Sequence, residues 1–207
     1  ILSLPILGTI NCHASKLPFY RGRNILNWVL INDEKEFGIT VHYVDEDIDT
    51  GPIILQKTFS ITDDDNYKSL LEISFKQCPL ILYEAVKLIL ENRVQVIPQD
   101  NLSKEGFYCQ KRGPGAEIID WDSNTRKLFN FIRAISSPGP CATSYIGKEE
   151  IKLKSANIEK SRGFSEYKAG HIVFVNNKFF IVKTVDGLLR VTEWESKIKL
   201  KVGYKLL

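Results

Sequence analysis

The sequence has few of the residues that mark metal, disulfide or membrane proteins. Its 207 residues include no Met, three His and four Cys, and the cysteines, Cys12, Cys78, Cys109 and Cys141, stand in no C-x-x-C spacing. Neither a zinc knuckle nor a disulfide framework is therefore indicated. No apolar run approaches the roughly 20 residues of a membrane span. We predict a cytoplasmic protein with free thiols, no metal and no membrane partner.

Charge changes sign along the chain. Residues 1–110 contain 10 Lys and Arg against 15 Asp and Glu, a net of −5, whereas residues 111–207 contain 18 against 10, a net of +8. Such a change supports two modules, and we predict domains over 1–106 and 107–207. The basic module suits an anionic partner such as a nucleotide phosphate or RNA, or simply a solvated lysine-rich surface.

The first module alternates between strand-like and helix-like patterns. Residues 6–12, 39–44 and 53–61 are apolar and rich in β-branched side chains, which is typical of strands. Residues 62–92 have the apolar spacing of a helix, and we expect Pro79 to kink or divide it. These patterns predict an α/β fold.

The second module combines one helix with short strands. Leu128, Phe129, Ile132 and Ile135 recur at helical spacing. Five segments of strand-like composition follow, and some are joined by residues typical of hairpin turns: CATSYI, EIKLKSANIE, HIVFVNN, KFFIVKT and LLRVTEWE. This pattern predicts a small β-rich domain, with a five-stranded barrel of the oligonucleotide-binding type as a candidate architecture.

An Asn and a His stand two residues apart in TINCHASKLPFYRGRN, just after an apolar run. Because side chains alternate along a strand, Asn11 and His13 are expected to point the same way and Cys12 the other way. An amide and an imidazole would then face one pocket. Taken alone, the pair also fits a strand that simply ends in an irregular loop.

Asp49, in DEDIDTGP, supplies a third group. A carboxylate beside an imidazole stabilises the protonated ring, so we expect Asp49 to raise the pKa of His13 and make it a better general acid near neutral pH. The Asn11 amide can donate a hydrogen bond to an oxyanion. This set suits acyl transfer through a tetrahedral intermediate without a Ser or Cys nucleophile.

Three ordered motifs point to a family. Asn-x-His occurs at Asn11–His13, Ser-x-Leu-Pro-x-Tyr-Arg-Gly at Ser15–Gly22, and Asp-Thr-Gly at Asp49–Gly51. They resemble the signature of the folate-dependent formyltransferases, which include methionyl-tRNA, glycinamide ribonucleotide and nucleotide-sugar formyltransferases. Looser similarity over 107–156 resembles the linker and C-terminal domain shared by the tRNA and sugar members.

The resemblance implies specific roles and a fold. Asn11, His13 and Asp49 would be catalytic, with His13 as the proton donor or shuttle. The first module would be part of a Rossmann-like sheet. One further set of residues would contact N10-formyltetrahydrofolate, largely through backbone groups: Arg23, Asp45, Glu46, Asp47, Ile48 and Asp49.

The linker suggests the acceptor. Arg112 and Pro114, ahead of IIDW, are more like the sugar members, among them the aminoarabinose formyltransferase of lipid A modification. We therefore expect formylation of a nucleotide-linked amino-deoxy sugar, as in lipopolysaccharide or O-antigen biosynthesis, with Tyr108, Lys111 and Arg112 near the nucleotide. The alternative is methionyl-tRNA, since a basic domain can follow RNA phosphates. A homodimer is expected by resemblance only.

The sequence departs from the family pattern at its start. The strand–helix units that precede Asn-x-His in the family are absent; such a doubly wound half comprises roughly 80–100 residues. We therefore expect a longer protein whose N-terminal segment completes the sheet. In addition, Gly51 is followed by Pro52, where the family often has an acidic residue.

Overall fold

The computed structural model describes residues 4–160 and 163–207. It divides into two compact units. The first consists of the residues before Leu30 together with Glu34–Asp65 and Ser69–Arg112; the second consists of Leu30–Asp33, Asn66–Lys68 and Gly113–Leu207. Each unit buries its own set of apolar side chains.

The chain up to residue 112 is mixed α/β. In order it contains β1 (Ile10–His13), β2 (Arg21–Gly22), α1 (Ile25–Ile31), β3 (Glu36–Tyr43), β4 (Ile53–Ser60), α2 (Tyr67–Leu90), a 3-10 helix at Gln99–Asn101 and β5 (Tyr108–Cys109). The strands β1, β3 and β4 form one sheet in the order β1-β3-β4, and β2 pairs with β5.

The strand directions differ from those of a Rossmann-like sheet, which is parallel. In the described part of the chain, β1–β3 and β3–β4 are antiparallel, and the parallel pairing is the short one between β2 and β5. The connection over 44–52 is too short for the crossover that parallel neighbours need, so β4 returns beside β3 as a hairpin. The expected α/β class is confirmed for this unit.

Helix α2 is one element despite its internal proline. Pro79 lies inside Tyr67–Leu90, and the helix is not divided there. Pro79 is exposed, so its ring is accommodated on the outer side of the helix. The buried side chains include Leu70, Ile81 and Ala85. Of the kink or division expected at Pro79, the division is therefore not found.

The second unit is β-rich. After α3 (Thr125–Ala134) it contains β6 (Ala142–Ile146), β7 (Glu149–Glu159), β8 (Ile172–Val175), β9 (Phe180–Lys183) and β10 (Leu188–Ser196). These strands form an antiparallel sheet in the order β6-β7-β10-β9-β8. The predicted helical spacing is confirmed, because Leu128, Phe129 and Ile132 are buried on α3.

A closed barrel of five strands is not found in 113–160 and 163–207, where no pairing joins the edge strands β6 and β8. The end of the chain links these edges instead. Leu207 exchanges backbone hydrogen bonds with Tyr145 of β6, while Ile172 of β8 donates to the Tyr204 carbonyl at 2.8 Å. The β-rich domain is thus confirmed, but its edges are connected by an irregular segment rather than by a strand ladder.

Gly38 of β3 provides a test of packing in the first unit. A Cβ at this position would lie 2.6 Å from the Cα of Lys16. We expect Gly38→Ala to destabilise the protein by about 1–3 kcal/mol, since backbone must move to admit the methyl group. Equilibrium urea unfolding measures this. Gly113→Ala is the matched control, because a Cβ there would meet nothing within 4 Å; equal unfolding midpoints for the two variants would contradict the prediction.

Candidate active site

The sheet brings the predicted catalytic residues to one place. Asn11 of β1 pairs with His42 of β3, and His13 lies two residues further along β1. Asp49 belongs to the loop that connects β3 to β4. The Cys12 thiol instead donates to the carbonyl oxygen of Cys78 on α2, at 3.8 Å. Asn11, His13 and Asp49 therefore converge although 36 residues separate the last two.

The Asp49 carboxylate is the centre of this cluster. Its Oδ2 accepts a hydrogen bond from the backbone N–H of Gly22 at 2.8 Å and lies 3.7 Å from Nε2 of His13. Its Oδ1 lies 3.4 Å from Nδ2 of Asn11 and 3.7 Å from Nε2 of His42. One carboxylate thus contacts an amide, two imidazoles and a backbone donor.

The contacts of His13 indicate which ring nitrogen carries the proton. Nε2 lies 3.0 Å from the carbonyl oxygen of Tyr20. A carbonyl can only accept, so Nε2 is the donor in the neutral ring and Nδ1 is left as the basic nitrogen. The side chain is 12% exposed. Nδ1 is therefore the nitrogen of the neutral ring that can accept a proton.

The pKa of His13 is shifted downwards, opposite to the expected direction. Burial lowers it below the ordinary value of 6.5, and His42 adds to this, while Asp49 and the Tyr20 carbonyl offset only part of the effect. Burial wins because removing the ring from water penalises the charged form. A lowered pKa favours the neutral form of the His13 ring, and a neutral ring can accept a proton.

Asp49 remains ionised in its partly buried position. Burial alone would raise the pKa of Asp49, but the interaction with His42, the Gly22 N–H and the charge of His13 when that ring is protonated together lower it below its ordinary value. Hydrogen bonds and opposite charges favour the carboxylate form. Asp49 can therefore stabilise an imidazolium when His13 accepts a proton.

His42 of β3 is a further member of the cluster. It is 1% exposed, its Nδ1 donates to the Tyr43 carbonyl at 2.7 Å, and its Nε2 faces both Asp49 and Asn11. The Nδ2 group of Asn11 lies 3.3 Å from this Nε2. The strand register, which pairs Asn11 with His42, was the signal needed to find it.

The backbone of the Asp49 loop is fixed by close contacts. Asp49 has a φ of +57°, a left-handed conformation that is uncommon for residues other than glycine. A Cβ on Gly51 would lie 1.8 Å from the carbonyl oxygen of Tyr43, so only glycine fits there. Gln99 donates to the Asp49 and Gly51 carbonyls, both at 2.8 Å.

The residues predicted to contact folate lie around this loop. Asp45, Glu46, Asp47 and Ile48 are exposed, and Ile48 is 65% accessible. Arg23 is also exposed, and its backbone N–H donates to Cys109. The loop thus presents carboxylates, backbone groups and one apolar side chain to the outside.

The residues predicted to contact a nucleotide lie in β5 and just after it. The ring of Tyr108 lies beneath the Arg21 guanidinium, 5.5 Å from its centroid. Arg112 lies at the same distance over Trp28, and its N–H donates to Asn24 Oδ1. Lys111 is exposed. Two of these three side chains are therefore held by neighbouring aromatic or cationic groups.

Within 4–160 and 163–207, no group of three or more His, Cys, Asp or Glu side chains is placed to hold a metal ion. In the same part of the chain, no helix has both the length and the apolar character needed to cross a membrane.

Two sequence profiles match the chain. Residues 1–86 match the family described as Formyl transferase, and residues 113–204 match the domain described as Formyl transferase, C-terminal domain. The chain belongs to the formyl transferase family. The resemblance inferred from the three motifs is thus confirmed.

Curated relatives in the family include two kinds of enzyme. The chain is 37% identical over 192 residues to a methionyl-tRNA formyltransferase of Thermodesulfovibrio yellowstonii, covering 92% of the chain and 59% of that protein. It is 36% identical over 181 residues to the bifunctional polymyxin resistance protein ArnA of Wigglesworthia glossinidia brevipalpis, covering 87% and 27%. The chain therefore spans about three fifths of the first relative and about a quarter of the second.

A solved structure shares the fold. The N-formyltransferase of Helicobacter canadensis, in complex with folinic acid and dTDP-3-aminofucose, superimposes with a TM-score of 0.69 at 25% identity. The match covers 90% of this chain and 66% of that one.

The opposing influences on His13 can be separated by titration. Because Asp49 partly offsets the effect of burial, Asp49→Asn should lower the pKa of His13 further below 6.5. NMR titration of the imidazole resonances measures both proteins, with His171 in the second unit as an internal reference. A His13 midpoint that rises or stays constant in Asp49→Asn would show that the carboxylate does not act on the ring.

Proposed function

We propose that the protein transfers a formyl group from N10-formyltetrahydrofolate to a primary amine. The observation that supports this most directly is the cluster of Asn11, His13 and Asp49, joined by contacts of 3.4 and 3.7 Å, in a chain of the formyl transferase family. The structure of the Helicobacter canadensis relative holds folinic acid, itself a formylated folate, which supports the same donor class.

The Asp49 loop fits a pterin ring. Such a ring presents an amino group and ring N–H groups, which need acceptors, and ring nitrogen and oxygen atoms, which need donors. The exposed carboxylates of Asp45, Glu46 and Asp47 and the loop backbone offer both kinds of partner. Arg23 and Ile48 would complete the site. When bound, N10-formyltetrahydrofolate supplies the one-carbon group that is transferred.

His13 would accept a proton from the amine and then donate it to the leaving group. Its neutral ring, with the Nε2–H directed at the Tyr20 carbonyl, leaves Nδ1 to accept a proton from the attacking amine. The nearby Asp49 carboxylate stabilises the imidazolium that results. The protonated ring can then return the proton to the departing nitrogen, so that His13 ends as it began.

Asn11 would stabilise negative charge. Its Nδ2 group lies 3.3 Å from His42 and 3.4 Å from Asp49, and both distances are long for hydrogen bonds. An oxyanion that develops during acyl transfer is a stronger acceptor than a neutral imidazole and can take one of these N–H groups.

Substitution of the cluster tests these roles. Asn11→Ala, His13→Ala and Asp49→Ala should each lower kcat by at least ~10², the size of effect expected for a lost proton-transfer or oxyanion-binding group. Single-turnover formyl transfer with the full-length protein measures this. His171→Ala, in the second unit, is the control variant. Near-normal turnover in His13→Ala would remove the proposed mechanism.

For the acceptor, we propose methionyl-tRNA first. Although the linker motif favours a nucleotide sugar, the methionyl-tRNA formyltransferase relative matches 92% of the chain at 37% identity. The net charge of +8 over residues 111–207 also suits an RNA partner. A nucleotide-linked amino sugar is the second candidate, supported by the ArnA relative and by the dTDP-3-aminofucose in the Helicobacter canadensis structure. In that case Tyr108, Lys111 and Arg112 would lie near the nucleotide.

A substrate panel distinguishes the two acceptors. The full-length protein is given formyl-tetrahydrofolate with charged initiator tRNA, or with dTDP-, UDP- and GDP-linked amino-deoxyhexoses. We expect formylation of the tRNA that weakens steeply as salt is raised from 50 to 200 mM, since each phosphate contact releases counterions. Formylation of a sugar alone, with little salt dependence, would reject methionyl-tRNA.

Sedimentation of the same sample tests whether the protein is a homodimer.

A further inference from the structure

Gln99 is a buried amide in the 3-10 helix that follows α2. It is 3% exposed. Every polar atom of its side chain has partners: Nε2 donates to the carbonyls of Asp49 and Gly51, both at 2.8 Å, and Oε1 accepts from Arg21. Such complete satisfaction of a buried polar group indicates a defined structural position.

The partners of Gln99 belong to the two segments that hold the Asp49 carboxylate. On one side, its donors hold the backbone on which Asp49 sits at a φ of +57°. On the other side, Arg21 donates to Gln99 Oε1 from Nε at 3.1 Å and from Nη2 at 2.7 Å. Arg21 precedes Gly22, whose N–H donates to the Asp49 carboxylate at 2.8 Å. The amide therefore joins the carboxylate's own loop to the segment that donates to it.

We propose that Gln99, with Arg21, is a positioning residue for formyl transfer, which holds the Asp49 carboxylate at its distance from His13. This inference rests on the proposed function. Gln99 does not touch the reacting atoms in this arrangement. It acts by fixing the position of the Asp49 loop relative to the Arg21–Gly22 segment. Without its two N–H donors, the Asp49 and Gly51 carbonyls lose their partners and the loop can move away from His13.

Gln99→Glu separates this role from simple packing. The side chain keeps its size and its acceptors for Arg21, but the ionised carboxylate has no hydrogen to donate and places an oxygen against two carbonyl oxygens. We expect kcat to fall about tenfold, within the up to ~10²-fold cost of a displacement of about 1 Å. The deficit should shrink as pH is lowered, because a protonated carboxyl regains one donor.

Two further variants complete the test. Gln95→Glu introduces the same charge at an exposed position four residues earlier and should leave kcat within twofold of the unmodified protein. Gln99→Asn keeps a neutral amide that is too short to reach both Arg21 and the loop, so its deficit should not depend on pH. Gln99→Asn also tests the positioning role if Gln99→Glu does not fold.

A double-mutant cycle and hydrogen exchange measure whether the effect of Gln99→Glu on kcat depends on Asp49. If Gln99 acts through Asp49, then Gln99→Glu should lower kcat no further in an Asp49→Asn background. Exchange of the Gly22 amide proton should be faster in Gln99→Glu than in Gln95→Glu, since its acceptor moves. Additive losses, or a Gln99→Glu kcat within twofold of the unmodified protein, would overturn the proposal.

The two proposals can fail separately. If the unmodified protein formylates no acceptor in the panel, the proposed function fails, and Gly22 exchange alone decides the role of Gln99. Faster exchange in Gln99→Glu would then still support the positioning role of Gln99, whereas unchanged exchange would overturn it. If the unmodified protein is active and Gln99→Glu is equally active, only the positioning role is lost.

Discussion

The arrangement of the candidate site depends on where one carboxylate is held. Asp49 accepts a backbone hydrogen bond from Gly22 and lies within 3.7 Å of two imidazoles, so segments that are far apart in the sequence meet at its two oxygens. An ionised group is costly to bury unless its oxygens are satisfied. The left-handed backbone at Asp49, the close approach at Gly51 and the Gln99 amide all hold the Asp49 carboxylate in the position where its oxygens have these partners.

Burial and charge act on His13 in opposite directions, and the balance determines its chemistry. An exposed imidazole beside a carboxylate would have a raised pKa and would act first as an acid. Here the ring is largely withdrawn from water, and its pKa is lowered in spite of Asp49. A neutral ring with a free Nδ1 suits an enzyme whose nucleophile is an amine, because the amine must lose a proton as it attacks.

Several features of the fold and the site were predictable because they depend on local patterns. Alternation along β1 placed Asn11 and His13 on one side, and helical spacing located α3. The short connection over 44–52 is enough to predict that β4 returns antiparallel beside β3, whereas the pairing of β1 with β3 depends on the tertiary structure. His42 and Gln99 were not predicted as parts of the site, because a histidine within a strand and a glutamine in the segment after a helix look ordinary until their partners are known.

By itself, the sequence determined the family, the α/β and β-rich character of the two units, and the identity of the amide, imidazole and carboxylate, because these are expressed in short motifs and periodicities. Only the tertiary structure decided that burial lowers the pKa of His13, that Nδ1 is the basic nitrogen of its neutral ring, and that Gln99 and His42 surround Asp49. The physical reason is that burial and hydrogen-bond partners depend on residues as far as 78 positions apart in this site, and no local pattern records them.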